Sequence, residues 1–84
     1  MFYSIQFDVL NLSGELQRSA PYKNVTRKEI KVLTKGYTAT LNTQYGVKLD
    51  TVFEKSDKFE YTTFIRKDSE GKEIMVGGIN IVKV

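Results

Sequence analysis

The stretch TRKEIKVLTKGYTATLNTQYG, Thr26 to Gly46, decides how the rest of the chain is read. Thr26 and Glu29 stand at the spacing of a capping box, in which each side chain satisfies a backbone N–H left without a partner in the first helical turn. Val25 and Ile30 flank them as a hydrophobic staple. Ile30, Leu33, Tyr37, Leu41 and Tyr45 recur at steps of three and four, one stripe of a helix with its 3.6-residue turn. Gly46 falls where a left-handed C-cap belongs. Gly36 is the weak point, because glycine costs about 1 kcal/mol relative to alanine in a helix interior. A break there would give two shorter elements, but the phase running from Leu33 through Tyr37 to Leu41 favours one continuous helix.

On the N-terminal side, Tyr3, Ile5, Phe7 and Val9 alternate with Phe2, Ser4, Gln6, Asp8 and Leu10, the period of a strand with one buried face. Ser13-Gly14 supplies a turn, and Glu15 to Tyr22 forms the second strand of a hairpin. Pro21 cannot donate to a ladder, which places that strand at a sheet edge. On the C-terminal side three strands are expected, Val47 to Lys55, Phe59 to Lys67 and Glu73 to Lys83. Val47, Leu49 and Phe53 are expected to face the helix from the first, and Phe59, Tyr61 and Ile65 from the second. Gly77-Gly78 suggests a bulge that switches the inward set of the last strand from Ile74 and Val76 to Ile79 and Ile81.

The expected fold is therefore α+β: one domain, residues 1–84, with an antiparallel sheet of about five strands and one long helix on one face, in the order β-β-α-β-β-β. The opposite sheet face carries Ser4, Gln6, Asp8, Gln17, Lys48, Asp50, Glu54, Glu60, Thr62 and Arg66, relieved by four apolar residues. Those four, Phe2, Leu10, Val52 and Phe64, are the candidates for a protein interface, with base stacking a lesser use for such residues. A second candidate surface is the row of small residues Val32, Gly36, Ala39 and Thr43 on the helix.

Charge is uneven. Residues 1–46 hold six bases against three acids, whereas residues 47–84 balance seven against seven. Arg27, Lys28, Lys31 and Lys35 are the candidates for an anionic partner; the three lysines follow helical spacing away from the buried stripe. Arg27 and Lys28 sit in the first turn, where the helix dipole disfavours a base. A nucleic-acid backbone or an acidic protein would suit such a face, although lysines on an exposed helix ordinarily serve solvation.

The chain has neither cysteine nor histidine, so thiolate chemistry, zinc-thiolate sites and imidazole proton transfer are not expected. Six dispersed glycines form no phosphate-cradling loop, and no carboxylate pair shares a cleft. Asp8 reads as a surface charge beside the hairpin, and Asp68-Ser69-Glu70-Gly71-Lys72 as a turn rather than a calcium loop. The expectation is a non-enzymatic chain with no cofactor and no metal. The N-terminal residues alternate instead of forming an unbroken apolar run, and no membrane span is present, so a cytoplasmic setting is the default.

These readings converge on a small binding protein that acts by protein contact, in the manner of the inhibitors and regulators of phages and mobile elements. A nucleic-acid-binding accessory protein using the basic helix face stands second. A structural or assembly subunit, with self-association into a homo-oligomer, stands third.

Overall fold

A computed structural model describes residues 1–11 and 13–84. Strand β1 runs Tyr3–Leu10, β2 Leu16–Arg18, β3 Tyr22–Val25, helix α1 Arg27–Tyr45, β4 Asp50–Lys55, β5 Phe59–Lys67 and β6 Glu73–Lys83. The sheet is antiparallel in the order β2-β1-β6-β5-β4, with β3 also paired to β1.

Both helix caps form as the sequence requires. Thr26 accepts from the Glu29 amide, and Glu29 accepts from the Thr26 amide at 3.0 Å. Gly46 closes the C-terminus at φ 70°. The helix passes unbroken through Gly36, whose carbonyl also accepts from the Thr40 hydroxyl.

The expected second strand is two short ones. Pro21, lacking an N–H, interrupts the ladder, so β2 pairs with the far end of β1 and β3 with its beginning. Asn24 takes a positive φ of 57°, a conformation asparagine tolerates better than most residues. The turns flanking β1 and β5 share one chemistry. Asn11 Oδ1 accepts from the amides of Ser13 and Glu15, Asp68 Oδ1 accepts from those of Glu70 and Lys72, and a left-handed glycine follows each by three residues.

The core lies where α1 crosses β1 and β6. It contains Tyr3, Ile5, Val25, Ile30, Leu41, Leu49, Phe64, Val76, Ile79 and Ile81, with Leu33, Tyr37 and Tyr45 packed against it. The two staple residues, Val25 and Ile30, both belong to it. The β6 bulge is at Val76, one residue before the glycines: Phe64 pairs with Gly77 and Ile65 with Met75. Ile74 and the bulge residue Val76 pack inward, and Ile79 and Ile81 do so beyond it.

Strand β5 has the opposite phase to the expected one. Register with Ile79 and Ile81 puts Glu60, Thr62 and Phe64 on the helix side, and Phe59 and Tyr61 on the open side. The glycine pair explains the inversion. Phe64 lies opposite Gly77 and meets Tyr37 edge-on at 5.5 Å. On the other face the Tyr61 ring lies over Gly78, its Cζ 2.8 Å from where a Cβ would stand. The space a side chain on Gly77 would need is taken by the Tyr37 hydroxyl and Leu41, and that on Gly78 by the Tyr61 phenol.

Candidate functional site

One helix cannot cover this sheet. An α-helix with its side chains is about 10 Å wide and strands are spaced about 4.8 Å apart, so a single helix covers about two strands. Here α1 lies over β1 and β6, where Tyr37 stacks on Phe7 at 4.7 Å and meets Phe64 of β5, leaving open on the helix side β4 and the part of β5 that holds Glu60 and Thr62.

The open lane is a groove of about 620 Å³ between α1 and β4. Ile30 and Thr34 form its helix wall, Ile81 and Thr62 its floor, and Phe53 its far side. Phe53 was expected to be inward. It does point to the helix side, since it pairs with Thr62, but it is 57% exposed because nothing packs above β4. Thr34 Oγ1 is buried without a hydrogen-bond partner, the one such side-chain atom among the described residues.

Arg27, Lys28, Lys31 and Lys35 rim the groove together with Glu60. The four bases do not act alike. Arg27 binds Glu60 through both terminal guanidinium nitrogens, at 2.7 and 3.2 Å, and its guanidinium carbon stands 4.5 Å from the Tyr3 ring centre. The hydrogen bonds to Glu60 push the Arg27 pKa up, and the same bonds lower that of Glu60. Arg27 is thus committed within the fold, while Lys28, Lys31 and Lys35 are exposed and run along the groove's helical flank.

The candidate interface residues do not assemble. Phe64 is a correction: it is 2% exposed and belongs to the core. Phe2 and Val52 are about half exposed, and Leu10 is partly buried. Strands β6 and β5 separate Val52 on β4 from the other two on the β1 side, a lateral gap of about 14 Å at normal strand spacing. The small-residue row on α1 is uncovered, with Val32 69% exposed and open space around Gly36.

Asp8 is the second correction. It is the buried charged residue of the described chain, 5% exposed, on the open sheet face. Arg18 donates to both its oxygens, at 2.8 and 3.1 Å, and the Tyr61 hydroxyl donates to Oδ2 at 2.6 Å. Burial would raise the Asp8 pKa, but these hydrogen bonds and the Arg18 charge outweigh it and hold the carboxyl below its ordinary value. The Tyr61 phenol is pushed up to about 12 by burial and by its bond to Asp8. On the helix side the Tyr37 hydroxyl donates to the Asp8 carbonyl and accepts from the Gly78 amide at 3.1 Å, and burial raises its pKa to about 12. The cluster ties β2, β1, β6, β5 and α1 together, with both carboxylate oxygens already occupied.

Among the described residues, no helix is long and apolar enough to cross a membrane, and no group of three or more acidic side chains could hold a metal ion. No family model, curated protein or solved structure matches this chain.

Sequence reasoning missed the groove although its signal was present. About five strands and a single helix already imply a half-covered sheet; the residues lining the gap, Phe53, Thr62 and Thr34, could be named only once the register was known.

Proposed function

We propose that the chain is a non-catalytic protein-binding module, a regulator or inhibitor, and that it engages its partner through the groove between α1 and β4. The observation that carries this reading is Phe53, an aromatic side chain more than half exposed on the wall of an apolar groove. A large aromatic residue on the wall of a water-accessible apolar hollow is the kind of anchor that dominates binding energy in protein interfaces. The open sheet face is a poorer candidate, since Phe2, Leu10 and Val52 are dispersed. The absence of histidine and cysteine, with Asp8, Glu29 and Glu60 all engaged in hydrogen bonds within the fold, supports a role without catalysis.

Because the chain has no cysteine, a single introduced thiol can carry a photo-crosslinker at one known place. Phe53→Cys samples the groove, Val52→Cys the open sheet face and Val32→Cys the far side of the helix. The expected result is a discrete protein adduct from Phe53→Cys that the unlabelled chain competes away and the other two positions do not give. Equal labelling from all three, or none, would refute the proposal. A nuclease-sensitive adduct would instead favour nucleic acid, the reading supported by the three exposed lysines.

A further inference from the structure

We infer that the groove takes a helical segment of another protein, apolar on one face and acidic on its flanks. This rests on the groove being the binding site and concerns what fills it.

Beside the half of α1 that runs from Arg27 to Lys35, the vacant lane spans β4 and the part of β5 that holds Glu60 and Thr62, about two strands or about 10 Å wide, the diameter of one α-helix. A helix laid beside α1 would complete the two-layer packing that the chain supplies for only half of its sheet. An extended segment could pair with the free edge of β4, but it would leave the floor at Thr62 and Ile81 uncovered. Apolar side chains at i, i+3 or i+4, and i+7 would reach Phe53, Ile30 and that floor, the pattern by which amphipathic helices occupy grooves.

Charge complementarity selects the flank. Glu60 is neutralised by Arg27, so the uncompensated charge at the rim is that of Lys28, Lys31 and Lys35. Acidic residues bordering the apolar stripe would meet them at the mouth of the groove. A second copy of this chain is disfavoured by the same feature, because its own α1 would bring lysines against lysines. A nucleic-acid backbone would satisfy the lysines but leave the apolar wall exposed.

The test is selection of a displayed library of random 16-residue peptides on the intact chain, with depletion on Phe53→Glu. Phe53 is an exposed edge-strand residue, so that variant is expected to keep the native circular dichroism spectrum. Enriched peptides should be net acidic with apolar residues at helical spacing. Resynthesised, they should bind about tenfold or more weakly to Phe53→Glu and to the double variant Lys31→Glu/Lys35→Glu, and weaken as salt rises. Enrichment of basic or extended peptides that still require Phe53 overturns the inferred occupant and leaves the groove standing as the binding site. Indifference of the selected peptides to charge reversal, or no enrichment beyond the depleted pool, also overturns it. Failure of the groove itself is read separately, from position-independent crosslinking.

Discussion

The phenol of Tyr61 occupies the space that a side chain on Gly78 would need. Its Cζ lies 2.8 Å from an ideal Cβ at that position, and its hydroxyl continues past the glycine to Asp8 Oδ2 at 2.6 Å. A glycine in a strand interior weakens the strand by itself; here it opens the path by which an aromatic ring on β5 reaches a buried carboxylate on β1.

Gly78→Ala should therefore destabilise the fold by about 1–3 kcal/mol, the usual cost of forcing extra atoms into a packed site. The displaced group would be the Tyr61 ring, so Gly78→Ala should cost markedly less when Tyr61 is already alanine. Urea unfolding of the four members of the cycle measures this coupling, and strictly additive effects would show that the two residues do not share the site.

Asp8 predicts an acid-sensitive fold. Its folded pKa lies below the unfolded value of about 3.9, so the native state binds fewer protons across that interval. The stabilisation is fully present above about pH 4 and is lost as pH falls through the folded pKa. Asp8→Asn should lower stability at neutral pH by about 1–3 kcal/mol and flatten the acid limb of the stability profile. The two raised phenols act in the opposite sense. Their contribution is intact below the unfolded tyrosine pKa of about 10 and fades as pH rises through about 12. Absorbance titration should show Tyr37 and Tyr61 ionising late, and part of that late phase should be absent in Tyr61→Phe.

Thr34→Val should leave stability unchanged or raise it by about 1 kcal/mol, because the hydroxyl it removes is buried and unpaired. The change in midpoint of chemical unfolding reports it directly. A loss above about 1 kcal/mol would mean that the hydroxyl has a partner in solution.

Phe64→Ala should cost about 3–5 kcal/mol, since it empties a core site against Tyr37. Val52→Ala, on the neighbouring edge strand, should change stability by no more than about 0.5 kcal/mol. Thermal unfolding of the two variants side by side separates the buried residue from the exposed one.

The amino-acid sequence by itself determined the helix and its caps, the turns at Ser13-Gly14 and Gly71, the α+β class and the change of inward phase along β6. All of these are written in spacings of a few residues, where Thr26 meets Glu29 or a glycine supplies a left-handed conformation. The phase of β5, the burial of Asp8 and the residues that line the groove were decided by tertiary structure alone. Phe59, Tyr61 and Ile65 form the more apolar side of β5, and alternation within the strand favours turning them inward. The fold turns Phe64 inward instead, because Gly77 faces it across the sheet and Tyr37 descends from the helix onto the same place. Asp8 is buried because Arg18 and Tyr61, one of them 53 residues away, converge on its carboxylate. Pairings between strands distant in the chain depend on which side chains fill one another's gaps, and that information appears only when the strands are side by side.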